Sequence, residues 1–230
     1  MVYVTGDTHG HEFEKIEDLC IEWETTLDDV VIILGDAGIN FYGDPTDANL
    51  KRQLNELPIT ILCIHGNHEI RPESIRSYDE TDRFGGVVYQ ESEFPNLLFA
   101  KDGEIYELDG FCCMAIGGAY SIDKYNRKEG VDWWANEQPS EEIMERVETR
   151  LGKENWQVDV IFSHTCPFDF MPRENFFSVP KKAEDYTTEK WLQSIEDKLD
   201  YSYWFCGHFH TDKFSGRMRF LYHEIVELDG

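Results

Sequence analysis

Five apolar runs in this chain each end in a cluster of histidine, aspartate or asparagine, and that pattern constrains the fold more than any other feature. Val2 to Val4 leads into Gly6-Asp7-Thr8-His9-Gly10, Val30 to Leu34 into Gly35-Asp36-Ala37-Gly38, and Ile59 to Ile64 into His65-Gly66-Asn67-His68-Glu69. Later, Val158 to Phe162 leads into Ser163-His164-Thr165-Cys166-Pro167, and Tyr203 to Phe205 into Cys206-Gly207-His208-Phe209-His210. Short runs of Val, Ile, Leu and aromatic residues are buried-strand patterns. Helix-like stretches, Glu12 to Trp23 and Asp47 to Leu57, separate the first three, so the chain begins strand, helix, strand, helix, strand and reads as α/β with parallel strands.

Further on, Val87 to Gln90, Leu97 to Ala100, Glu104 to Leu108 and Phe111 to Ile116 are short strands punctuated by Asp102-Gly103 and Asp109-Gly110, a hairpin pattern. A helix is expected from Ser140 to Leu151, with Glu141 and Glu142 suited to its N-terminus, and strands return at Arg217 to Tyr222 and Glu224 to Leu228. Residues 118–139 and 166–185 read as long irregular stretches carrying aromatics and scattered basic residues, which inside a compact domain points to function. With 230 residues, 41% of them hydrophobic, and no linker or repeat, residues 1–230 are expected to form one domain.

Charge narrows the partners. The formal net charge of -25, from 46 acidic and 21 basic residues, repels nucleic-acid phosphates and offers no polybasic patch to an anionic membrane. General nucleic-acid and membrane binding are therefore not expected. The six cysteines, Cys20, Cys63, Cys112, Cys113, Cys166 and Cys206, include no Cys-x-x-Cys pair and read as buried free thiols. With a strand-like start, no basic and apolar leader and no membrane-spanning run, a cytoplasmic location is the expectation. A nucleophilic-cysteine phosphatase does not fit, because Arg173 follows Cys166 by seven residues across a segment that is not glycine-rich.

Singly, an Asp in a turn is a common helix cap and a histidine a common structural residue. Jointly, Asp, His, Asp, Asn, His, His and His at the carboxyl ends of separate strands form a metal-ligand inventory and a poor core. The five clusters, in order, resemble the signature of the calcineurin-like metallophosphoesterases: Gly-Asp-x-His, Gly-Asp, Gly-Asn-His-Asp/Glu, a lone His and Gly-His-x-His. Gly117 to Asp123 with Trp133-Trp134 looks like a bacterial or phage-type subgroup.

That resemblance implies a four-layer α-β-β-α sandwich, two mixed β-sheets flanked by helices, with the metal site at the carboxyl ends of the strands. It implies that Asp7, His9, Asp36 and His210 hold one metal and Asp36, Asn67, His164 and His208 the other, with Asp36 bridging. It further implies hydrolysis of phosphate monoesters or diesters of a small substrate by a metal-bridging hydroxide, assisted by His68, with Glu69 able to orient the imidazole. The mixed oxygen and imidazole donor set suits two divalent or trivalent ions, Mn, Fe, Zn or Co. Protein serine/threonine phosphatases follow the second motif with an arginine that grips phosphate, whereas here Asp36 is followed by Ala37-Gly38-Ile39-Asn40, which weakens that reading; Arg71 is the candidate phosphate-binding substitute, ahead of Arg127 and Arg173. A dinucleoside polyphosphate hydrolase, with Tyr120, Trp133, Trp134, Phe176 or Phe177 stacking on a base, is an alternative within the fold. An inactive binding scaffold is an alternative of another class.

Overall fold

In the computed structural model, residues 1–11, 13–43, 45–173 and 185–228 are described. Phe176 and Phe177 lie outside them. The chain opens with β1 (Val2–Thr5), α1 (Glu14–Trp23), β2 (Val30–Ile33), α2 (Pro45–Asn55) and β3 (Thr60–Cys63). It continues through β4 (Tyr78–Arg83), β5 (Gly86–Glu91), β6 (Leu97–Ala100), β7 (Ile105–Leu108), β8 (Phe111–Ile116) and α3 (Glu141–Lys153). The last elements are β9 (Val160–Ser163), α4 (Thr187–Glu196), β10 (Tyr203–Cys206), β11 (Lys213–Ser215), β12 (Met218–Phe220) and β13 (Ile225–Glu227).

One sheet has the order β13-β1-β2-β3-β6-β5-β4 and the other β11-β12-β10-β9-β8-β7. The central strands are parallel in both, as expected where helices supply the crossovers, and the outer strands add antiparallel pairs. Both sheets are therefore mixed.

Because successive side chains on a strand point to opposite faces, strands with no polar alternation must be covered on both sides. Three cores do this. Val4, Ile32, Leu62 and Leu98 of the first sheet meet Cys113, Ala115, Phe162 and Phe205 of the second. The outer face of the first sheet, through Val31, Ile33 and Ile61, packs on Ile16 and Leu19 of α1 and Leu54 of α2. The outer face of the second, through Met114, Ile161 and Trp204, packs on Val147 and Leu151 of α3 and Leu192 and Ile195 of α4. The result is the four-layer sandwich expected from the sequence. Ser140 caps α3, its Oγ accepting from Ile143 N at 3.3 Å, which satisfies one of the donors a helix start leaves open.

Three elements were not legible, the three-residue β11 among them. β4 is an edge strand of sequence Tyr-Asp-Glu-Thr-Asp-Arg, whose charges suit an edge that must not pair further and hide its strand character. α4 starts two residues beyond the stretch read as irregular. All six cysteines are unpaired, five of them buried. No described helix is long and apolar enough to cross a membrane.

A buried ion pair ties the loop after β3 to the β6–β7 connection. Arg71 Nη1 lies 2.6 Å from Asp102 Oδ2, Arg71 Nε donates to Asn136 O at 2.8 Å, and Asp102 Oδ1 accepts from Gly117 N at 2.6 Å. Removing one partner of such a pair leaves the other charge buried and unpaired, so Arg71→Met is expected to lower the free energy of unfolding by about 3 kcal/mol. Urea denaturation checks this; a loss under about 1 kcal/mol, the scale of an exposed pair, would contradict it.

Candidate metal centre

The five polar clusters meet because each follows a strand of the central parallel region, and parallel strands deliver their carboxyl ends to one edge. What locks them there is backbone hydrogen bonding between clusters. Asp7 accepts from the backbone N–H of His208 at 2.8 Å, and Asp36 Oδ1 from the backbone N–H of His68 at 2.8 Å. His9 N donates to Asp36 O at 2.8 Å, and Gly207 N to His164 O at 3.0 Å. The first cluster is thus held by the second and fifth, the second by the third, and the fifth by the fourth.

This close approach explains two of the glycines. A Cβ on Gly66 would stand 2.1 Å from Asp36 Oδ1, and one on Gly35, where φ is +94°, would stand 2.2 Å from His164 Nδ1. Either side chain would displace a candidate ligand. Four of the candidate ligands themselves occupy the left-handed region: His9 (φ 45°), Asp36 (48°), His208 (64°) and His210 (47°). Each such non-glycine residue costs on the order of 1 kcal/mol or more, a strain that folds retain where a site depends on it.

Within this frame the donor atoms converge. Nε2 of His9 and Nε2 of His210 are 2.9 Å apart, and Asp7, His9 and His210 form one group whose ligand atoms all lie within 4.8 Å of one another. Asp7, Asp36 and His164 form a second group to the same limit. His164 Nε2 stands 2.8 Å from Asn67 Oδ1 and 3.5 Å from Asp36 Oδ2. Two donors bound to one cation at about 2.1 Å and near right angles stand about 3 Å apart, so these spacings suit shared metal ligation. His208 adjoins the second group, its ring 4.9 Å from that of His164. Asp7 belongs to both groups, and Asp36, the bridging residue implied by the family resemblance, belongs to the second.

Electrostatics favour cation binding here. Burial lowers His9 to about 4 and holds His208 well below the ordinary histidine range, so both imidazoles are neutral near pH 7 with lone pairs available. Burial holds Asp7 above the usual carboxylate range. Burial also lowers the basicity of His164, but Asp36 and Asp7 outweigh it and raise the group to about 9. Two carboxylates at the bottom of one site thus draw positive charge to it. His164 Nδ1 donates to Leu34 O at 2.7 Å, fixing the ring so that Nε2 faces Asn67 and Asp36.

Two orienting residues escaped the sequence. Asn67 Nδ2 donates to Ser121 Oγ at 2.8 Å, aiming Oδ1 at His164, and Tyr222 stacks on His210 with ring centroids 4.4 Å apart and planes 7° from parallel. Ser121 lies 54 residues from Asn67, and no local pattern joins them.

His68 is part-exposed beside the centre, its Nε2 3.9 Å from Asp36 Oδ2. It lines, with His9, Asp36, Asn67, His208 and His210, an open cleft of about 850 Å³. Glu69 faces elsewhere: Oε1 accepts from Gly66 N at 2.7 Å, and the buried carboxyl is raised to about 8 by desolvation. It braces the turn carrying Asn67 and His68, and the carboxylate nearest the His68 ring is Asp36. Arg71 does not line the cleft, its guanidinium being held by Asp102 and Asn136, as described above. Arg127 does line it, with Nη2 2.7 Å from Asp123. Trp133 Nε1 donates to Glu137 at 2.6 Å and Trp134 packs edge-on against Phe41, so both serve the 118–139 loop.

Among solved structures, a protein of unknown function from Aquifex aeolicus is similar at 19% identity, with a TM-score of 0.32, over 72% of this chain and 80% of that one. No curated protein matches the sequence. A family model described as calcineurin-like phosphoesterase matches residues 1–212, and the chain belongs to that family.

Proposed function

We propose that the chain is a binuclear metal-dependent phosphoesterase that hydrolyses small phosphate monoesters or diesters. The observation that carries this reading is the meeting of two overlapping ligand groups, Asp7 with His9 and His210 and Asp7 with Asp36 and His164, beside an open cleft that His9, Asp36 and His210 line. Asp7, His9 and His210 would hold one ion with Asp36, and Asp36, Asn67, His164 and His208 the other. Mixed imidazole and oxygen donors favour Mn, Fe, Zn or Co. Such ions, when bound, activate water for attack on phosphorus and neutralise charge on the phosphoryl oxygens.

The protein's own groups supply the rest. The backbone N–H groups of His208 and His68 keep Asp7 and Asp36 in place before substrate arrives, so little reorganisation is needed during reaction. His68, on the cleft wall with its Nε2 turned toward Asp36, is placed to donate a proton to the leaving oxygen. Arg127, lining the same cleft, supports the reading of it as a phosphate contact, and the buried Asp102 pair of Arg71 argues against that role there. The segment Ala37-Gly38-Ile39-Asn40 after Asp36 carries no arginine, which argues against a protein-phosphatase reading.

Two outcomes are predicted. Substituting His68→Ala lowers kcat on an alkyl phosphodiester by about 10²- to 10⁴-fold, the span of general acid catalysis, while bound metal is unchanged. Steady-state kinetics beside metal analysis reads this, and an unaltered kcat removes His68 from the chemistry. Chelation abolishes hydrolysis of both bis(4-nitrophenyl) phosphate and 4-nitrophenyl phosphate, and added Mn restores it; activity that survives chelation would argue for another mechanism, and none under any metal for a binding scaffold.

A further inference from the structure

Beside the metal cleft lies a second cavity, of about 340 Å³, that the ligand set does not use. Ile122, His208 and Phe209 line both, so the two adjoin at a wall that includes a candidate metal ligand. The second cavity is walled by four aromatic rings, Tyr120, Phe168, Tyr186 and Phe209. Phe168 and Tyr186 meet edge to face with centroids 5.4 Å apart, and Tyr120 and Phe209 are 5% and 8% exposed. Of the charged residues that line it, Arg173, Asp185 and Glu189, only Glu189 is buried, at 3% exposure. Glu189 Oε1 accepts from Thr165 Oγ1 at 2.9 Å, whereas Oε2 is buried with no hydrogen-bond partner among the described residues.

A buried carboxylate oxygen without a partner costs free energy that a ligand donor recovers. Aromatic walls bind a planar ring, and an unpaired buried acceptor among them favours a ring with an N–H on its edge. We infer that this cavity binds the base of a nucleoside phosphate ester, Glu189 Oε2 accepting from an N–H of the base while the phosphoryl group occupies the metal cleft. This rests on the phosphoesterase reading and gives it a substrate class.

Binding of unphosphorylated nucleosides to the metal-free protein, followed by saturation-transfer NMR and titration, tests the cavity without hydrolysis. Adenosine is expected to bind through its ring protons, ribose not at all, and purine riboside, which lacks the exocyclic amine, about ten-fold more weakly than adenosine. Phe168→Ala weakens both nucleosides by about ten-fold, the scale of one lost stacking surface. Glu189→Gln brings adenosine down to purine riboside and leaves purine riboside unchanged. Phe168→Ala, on a part-exposed side chain, keeps the test open if Glu189→Gln fails to fold.

Equal binding of adenosine and ribose, or an unchanged adenosine affinity in Phe168→Ala, overturns the inference. Hydrolysis of bis(4-nitrophenyl) phosphate by the metal-loaded protein separates the two readings. Activity without nucleoside binding leaves the phosphoesterase standing and removes the base site; nucleoside binding in a protein inactive with every metal does the reverse.

Discussion

The site depends on one kind of interaction, a backbone N–H from one strand end holding the carboxylate of another. His208 N on Asp7 and His68 N on Asp36 join residues 201 and 32 positions apart. Without these bonds two carboxylates facing one buried space would repel and turn toward solvent; with them, the charge is fixed where cations are wanted. Much else follows from accommodating them. Gly66 and Gly35 are needed because nothing larger fits against Asp36 and His164, and the left-handed backbones of His9, Asp36, His208 and His210 are the strain the sheets sustain to aim those groups.

The sheets can sustain it because the strands carrying the clusters are deeply buried. β1, β2, β3, β9 and β10 lie inside the two sheets, covered by the partner sheet on one face and by helices on the other. Loops emerging from such strands have anchored starts, so only the first few residues after each strand need unusual conformations. The longer 118–139 loop is secured separately, by Ser121 on Asn67, Trp133 on Glu137 and Arg71 on Asn136. It contributes an orienting hydroxyl to the centre and Tyr120 to the aromatic cavity.

Local pattern carried most of the architecture, because strands buried on both faces read as unbroken apolar runs and their polar ends stand out against them. Seven candidate ligands were legible for that reason, and the structure brings them together. Residues whose roles depend on distant partners were not legible. Arg71 looks like a phosphate ligand three residues from His68, yet Asp102, 31 residues on, claims its guanidinium. Glu69 looks like a partner for its neighbour His68 and instead bonds Gly66. Tyr222 and Ser121 carry no local signal for orienting His210 and Asn67. β4 escaped because an edge strand has no need of hydrophobic residues, and the cavity around Glu189 because its walls come from segments far apart in the chain.

The central claim is that these strand ends build a two-ion centre. Metal content measured by plasma emission spectroscopy, after loading the purified protein with Mn and removing free ion, tests it most directly. The account predicts about two ions per chain, as a two-metal phosphoesterase requires, falling to one or none in His9→Ala and Asp36→Asn. A protein that retains no stoichiometric metal, or whose content is unchanged by both substitutions, would contradict it.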